Sequence, residues 1–348
     1  MANQCEQLVR LLRAEGASVV LVRTNTPYRP RWVGALPVVR AGFRVLPYLW
    51  RLWRAAGRSQ VVHVFANSGW AWHLLAWPAL QVARLRRVPV IVNYRGGQAD
   101  EFLSAAPSHV LAALGKVAMR ITPSAFLQRV FAKHGLSAEI IPNIIDLSRF
   151  AARPPLPLAE GPHLIVTRNL EVIYDIPTAL RAFAAVRARH PMARLTVAGS
   201  GPELPALQRL SSELGLGDAV TFSGRIDNSC IAALYASAHL MLNPSTADNM
   251  PISILEALAS GVPVVTTSAG GIPDLVRHES TALLVPVGDW SAMADAALRL
   301  LADEALTERL RAAGLHEASR YAWPHVRGQW RQAYWRAVPE SCLSRPCP

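Results

Sequence analysis

At 348 residues, about half of them apolar, the chain can bury two sizeable cores, and no low-complexity block marks it as disordered. Its formal charge of +12 is unevenly placed: residues 1–150 hold 19 Lys/Arg against 6 Asp/Glu, and residues 151–348 hold 17 against 18. The first half therefore calls for an anionic partner, while the acidic second half and the lack of an RNA or DNA motif argue against nucleic acid. Cys5, Cys230, Cys342 and Cys347 lack zinc spacing and point to a reducing, cytosolic compartment. Met1 opens no signal peptide, and the most apolar stretch, Trp70–Ala83, is too short to span a membrane.

In chain order, residues 2–15 predict a helix and Ser18–Arg23 a strand. A doubly wound domain normally opens strand first, so the pattern implies that one strand and its glycine turn are missing. A helix from about Pro37 to Ala56 would present cationic and apolar faces together. Arg29, Arg31, Arg40, Arg44, Arg51, Arg54 and Arg58 are interleaved there with Trp32, Phe43, Tyr48, Trp50 and Trp53. Such a surface can lie in an anionic membrane interface without crossing it. Strands follow at Gln60–Phe65, Pro89–Asn93, Met119–Thr122 and Glu139–Ile141, with helices between them. Arg153-Pro154-Pro155-Leu156-Pro157 breaks both periodicities and predicts a linker.

Beyond it, strands at His163–Thr167, Arg194–Ala198, Ala219–Phe222, His239–Asn243, Val262–Thr267 and Ala282–Val285 alternate with helices near 177–189, 203–214, 228–237 and 250–260. Repeated βα units mean a parallel sheet covered on both faces. The expected architecture is thus two Rossmann-like, doubly wound α/β domains facing across a cleft, residues 1–150 and 151–322. A last helix near 323–338 crosses back to the first domain, and 339–348 form a disordered tail.

The segment Ala247-Asp248-Asn249-Met250-Pro251-Ile252-Ser253-Ile254-Leu255-Glu256 carries the most chemistry. Pro251 suits a first helical turn, leaving Asp248 just outside the helix N-terminus, and Gly261 ends the helix. Glu256 sits among Ile252, Leu255, Leu258 and Ala259, where an ionised carboxylate is costly unless something bonds to it. Ribose hydroxyls would do so, and the free N–H groups of the same helix would hold a phosphate.

With Ile141-Pro142-Asn143-Ile144-Ile145-Asp146-Leu147-Ser148-Arg149-Phe150, Val197-Ala198-Gly199-Ser200-Gly201-Pro202-Glu203, Val220-Thr221-Phe222-Ser223-Gly224-Arg225 and Gly270-Gly271-Ile272-Pro273-Asp274, that segment resembles glycosyltransferase family 4. These are retaining enzymes of the two-Rossmann-domain GT-B type. The resemblance covers nearly the whole chain. It implies a nucleotide-diphosphate-sugar donor held by the second domain and an acceptor held by the first. Glu256 matches the acid that holds the donor ribose, and Asp248 matches one near the donor sugar, usually Glu and here shorter by a methylene. Backbone amides of Asn249, Met250, Pro251's neighbour Ile252 and the helix start would meet sugar and phosphate, with Arg225 and Ile226 near the base. Arg168 matches the arginine placed on the diphosphate, where it would stabilise charge on the leaving group.

The family often adds a lysine a few residues on, where this chain has Tyr174. Either Tyr174 and Arg168 share that task or Arg95 supplies a second cation. Arg95-Gly96 stands where many relatives carry His-Gly, and it replaces a titratable ring by a permanent cation. His63 fits a packed core position. No Asp-x-Asp or Cys/His cluster is present, so no metal and no cofactor are expected. The expected activity is sugar transfer to a lipid-linked or polysaccharide acceptor in envelope or exopolysaccharide synthesis, in the cytoplasm, peripheral on the inner face of the plasma membrane. Two alternatives stay open: a sugar-nucleotide epimerase of the same architecture, and a truncated, non-catalytic relative.

Overall fold

The computed structural model describes residues 2–24, 39–152 and 160–338, so the linker at 153–157, the tail at 339–348 and Arg29, Arg31 and Trp32 lie outside the described residues. The chain divides into two compact units, Met1–Ile144 with Val326–Pro348, and Ile145–His325. The junction falls a few residues before the expected boundary at 150. Ile145 N–H donates to Tyr321 O at 3.0 Å and its backbone bridges Ala322, which ties it to the second unit.

The second unit holds β5 (His163–Val166), β6 (Arg194–Ala198), β7 (Val220–Gly224), β8 (Leu240–Asn243), β9 (Val264–Thr267) and β10 (Leu283–Val285). They form one parallel sheet in the order β10-β9-β8-β5-β6-β7. The chain thus winds outward from β5 in one direction, returns, and winds outward from β8 in the other. Alternate residues feed two cores, as the strand period of 2 requires. Leu164, Val166, Leu240, Leu242 and Val265 face the helices Ile176–Arg189 and Trp290–Ala302, while Ile165, Met241 and Val264 face Ile252–Ala259. With both faces covered, β5, β8 and β9 are continuously buried, which explains why they read His-Leu-Ile-Val, Leu-Met-Leu-Asn and Val-Val-Thr-Thr without polar alternation.

The first unit has β1 (Val62–Ala66), β2 (Val90–Tyr94), β3 (Met119–Thr122) and β4 (Glu139–Ile140), parallel and paired strictly in chain order. One face packs on α2 (Val39–Ala56) through Tyr48, Leu52 and Ala56, spaced four apart, and on the helices Trp77–Leu85 and Ala125–Lys133. His63 of β1, on the other face, meets α14 (Trp323–Ala337), where Trp330 packs tilted and Tyr334 edge-on against it.

The N-terminal helix forms as expected (α1, Ala2–Ala14), but Ser18–Arg23 does not become a strand. Apolar alternation is only half of a strand; the other half is a ladder partner, and none pairs with this segment among the described residues. Val19 O instead accepts from the Arg13 guanidinium at 2.6 Å, and Val20 is left 65% exposed.

Candidate functional site

In an open parallel sheet, ligands sit beyond the carboxyl ends of the strands where the winding direction reverses, because neighbouring loops diverge there. In the second unit that point lies between β5 and β8. The loop after β5 carries Arg168, and the loop after β8 carries Asp248 and leads into α10 (Ile252–Ala259).

Two glycines set the β5 loop. A Cβ on Gly199 would lie 1.9 Å from Arg168 O, and one on Gly201 would lie 2.1 Å from Leu170 O, so the second motif needs both glycines to let two backbones meet. Gly270 does the same for the β8 loop: its φ is +54°, a Cβ there would lie 2.2 Å from Asp248 O, and Gly271 N–H donates to that oxygen at 2.8 Å.

Within this frame the Arg168 guanidinium pairs with the Asp248 carboxylate, donates from Nη1 to Ser253 Oγ at 3.2 Å and lies 4.2 Å over the Tyr174 ring. Tyr174 reaches it from the 3-10 turn Val172–Tyr174. Arg168 Nε is buried and has no hydrogen-bond partner among the described residues. Asp248 also accepts from Met250 N–H at 3.2 Å, so the amide expected to meet a ligand is held by the carboxylate here.

Pro251 stands at the N-cap of α10, one position earlier than expected, because its ψ of 118° is extended and not helical. No side chain caps the helix, which leaves its first N–H groups directed outward from Ile252. Asn249, Met250 and Pro251 are buried beside it, and the helix ends in a Gly261 turn with φ +71°.

Glu256 lies one turn in. Burial, with little relief from its neighbours, pushes its carboxyl up from 4.5 to about 7; a hydrogen bond from Tyr235 and the charges of Arg149 and Arg168 pull the other way. The Tyr235 hydroxyl is 3.0 Å from Glu256 Oε2. Sequence inspection missed Tyr235, Ser253, Thr167 and Arg149 as neighbours of the site. Tyr235 lies 21 positions before Glu256 in an apolar helical pattern that marks a core residue. Arg225 and Ile226 follow β7, the edge strand, and among the described residues no hydrogen bond or ion pair links them to Arg168 or Glu256.

In the first unit Arg95 follows β2. Its Nε donates to Asn93 Oδ1 at 3.0 Å, Nη1 donates to Asn143 Oδ1, and the guanidinium lies 4.9 Å over Phe65. Burial lowers its pKa to about 10. His63 is packed: Nδ1 lies 2.7 Å from the Tyr334 hydroxyl, and burial, then the Arg95 charge, lower its pKa to about 3. The rings of Trp70, His73 and Trp77 after β1 and of His109 on the helix Ser108–Gly115 form a chain in the order Trp70, His73, His109, Trp77 at 6.0–6.3 Å, with Trp70 79% exposed.

On α2 the outward side carries Leu46, Trp50, Arg51, Trp53 and Arg54, with Arg54 over Trp50 at 4.9 Å and Arg86 over Trp53 at 4.0 Å. Among the described residues no helix is long and apolar enough to cross a membrane, and no group of three His, Cys, Asp or Glu is placed to hold a metal.

The sequence profile "Glycosyltransferase Family 4" matches residues 1–149, and "Glycosyl transferases group 1" matches residues 161–303. The GDP-mannose-dependent alpha-(1-6)-phosphatidylinositol monomannoside mannosyltransferase of Mycobacterium tuberculosis is 30% identical over 80% of this chain and 68% of its own. The N-acetyl-alpha-D-glucosaminyl L-malate synthase of Bacillus anthracis is 37% identical over 41% of this chain, which spans only 37% of that protein. Among solved structures, Anabaena Alr3699/HepE in complex with UDP-glucose superposes with a TM-score of 0.73 over 83% of this chain and 82% of its own, at 18% identity, a likeness of fold.

Proposed function

The chain belongs to glycosyltransferase family 4, and on that footing we propose that it transfers a sugar, with retained anomeric configuration, from a nucleotide-diphosphate-sugar to a lipid-linked or polysaccharide acceptor. The observation that carries this reading is the meeting of Arg168, Asp248, the open N-terminus of α10 and Glu256 at the one point of the second unit where the strand order reverses. Each supplies what such a donor needs. The first N–H groups of α10 and Arg168, with its spare Nε, hold the diphosphate. Glu256 accepts the ribose hydroxyls. Asp248, fixed by Arg168, orients the sugar, while Tyr174 stacks under the guanidinium and keeps it in place.

In the transfer step the bond from the sugar's anomeric carbon to the phosphate oxygen breaks, and the acceptor oxygen bonds to that carbon on the same face. The departing phosphate takes the acceptor proton. Arg168 then bonds more strongly to the charge arriving on the phosphate than to the intact donor, which is the differential term that lowers a barrier. No metal enters this scheme. The base would lie near Arg225 and Ile226.

The first unit takes the acceptor in this reading, with Arg95 and the exposed rings from Trp70 to Trp77 after β1 as its candidate contacts. The basic, Trp-bearing side of α2 fits a peripheral position on the cytoplasmic face of an anionic membrane. Envelope or exopolysaccharide synthesis is the setting that matches such an acceptor.

The test is calorimetric titration with UDP- and GDP-sugars in the presence of a chelator, followed by transfer to lipid-linked acceptors and assignment of the product anomer by NMR. Micromolar donor binding that weakens by about tenfold or more, or ~1.4 kcal/mol, in Glu256→Ala is expected. Donor affinity indifferent to that change overturns the reading.

A further inference from the structure

Tyr235, on α9 (Ile231–Ala236), is fully buried, and its hydroxyl joins three elements. It lies 2.8 Å from Thr167 Oγ1 at the end of β5, 3.2 Å from Ser253 O and 3.0 Å from Glu256 Oε2, both on α10. Phe150 packs edge-on against its ring at 5.8 Å and fixes the ring plane. A phenol has one proton to give. With Thr167 as donor to it, that proton goes to Ser253 O or to Glu256. The carboxylate is the closer acceptor, and when ionised the stronger one. Burial, then the neighbouring Glu256 charge, hold the phenol well above its usual range, so it stays a donor. Among the described residues no hydrogen bond reaches Glu256 Oε1.

We propose that Tyr235 is a positioning residue for the nucleotide: its hydroxyl, set by Thr167, anchors Glu256 Oε2 and thereby presents Oε1 to the paired hydroxyls of a ribose. This rests on the sugar-nucleotide reading and adds to it a residue that touches no substrate. The same hydrogen bond favours the carboxylate over the carboxylic acid and so opposes the effect of burial. The other groups facing Glu256 are Arg149 from the junction and Arg168 from the β5 loop, the latter paired with Asp248. Arg311 of the helix packed on α10 bonds Gly261 O and Glu308 at the far end.

Removing the phenol oxygen therefore raises the pH at which Glu256 ionises, which mere loss of packing would not do. The experiment is titration of the whole chain with UDP and with GDP, each alone, from about pH 6 to about pH 9, on wild type, Tyr235→Phe, Thr167→Val and Glu256→Ala. Wild-type affinity is expected to rise through about pH 7. In Tyr235→Phe the rise should move to higher pH, with affinity about threefold or more lower near pH 7 and regained near pH 9. Thr167→Val, which unsets the phenol proton without touching the ring, should give a smaller shift in the same direction, and it decides the matter if Tyr235→Phe does not fold. Glu256→Ala should be weak and flat. A wild-type profile in the phenylalanine or valine variant, with Glu256→Ala impaired, overturns the role of Tyr235 alone. Unimpaired Glu256→Ala overturns the underlying reading as well.

Discussion

The two units are built from the same βα repeat but use it differently. The sheet of the second winds both ways from its centre and so has a reversal point, where acids and a guanidinium meet at the strand ends. The described sheet of the first runs one way only, and its strand-end cluster pairs Arg95 with amides, while the neighbouring His63 bonds a phenol. A reversal point gives loops from two directions to build a small-molecule site. A one-way sheet gives a face, here covered by α14 and edged by exposed aromatic rings. The difference explains why the charge asymmetry in the sequence did not coincide with the densest chemistry.

The largest effect that tests this contrast should come from Trp330→Ala. Trp330 is 1% exposed between His63 and Tyr334, and such a truncation costs about 3–5 kcal/mol. Hydrogen exchange should show the loss in the first unit; an equal loss in both would break the separation drawn here. Next, Arg168→Met should lower kcat for sugar transfer by about 10²–10³-fold, or ~2.7–4 kcal/mol, while leaving the exchange of the first unit unchanged. A rate within a few-fold of wild type would remove the reversal point from the chemistry. Smaller again, reversing Arg51 and Arg54 to Glu should weaken binding to anionic vesicles by at least about 1 kcal/mol per residue, with donor affinity intact. Equal binding of wild type to neutral vesicles would dismiss the electrostatic role of α2.

A last test is a pair of opposite pH slopes. His63 is held at about 3, below its unfolded 6.5, so its contribution is present above 6.5 and is lost as pH falls through that value towards 3. Glu256 is held at about 7, above 4.5, so its contribution is present below 4.5 and is lost as pH rises through about 7. Local exchange should therefore rise with acid in the first unit and with base in the second. His63→Leu should flatten only the former, and parallel slopes would count against the contrast.

Much of this was legible in the residues. The βα rhythm placed Arg168 at a strand end and Asp248 just outside a helix N-terminus, and Glu256 stood out because a carboxylate among Ile252, Leu255 and Leu258 needs a partner. Its partner was not legible. Tyr235 reaches it across a helix–helix contact that no local spacing encodes, and an apolar pattern around a tyrosine marks burial without saying what the hydroxyl touches. The failed strand at Ser18–Arg23 is the converse case, a local pattern with no ladder partner among the described residues. The cap position of Pro251 moved by one residue because proline fixes φ and leaves ψ free.

The placement of α14 has a consequence for synthesis. His63 and its partner Tyr334 are 271 positions apart, so at ribosomal speeds the back of the first sheet waits roughly 15 to 50 s for its cover. During that interval His63 faces solvent or a chaperone, and a nascent chain arrested before residue 326 keeps it uncovered indefinitely. Quality control of this protein therefore has a natural reporter in α14, the element whose docking certifies that translation has passed residue 337.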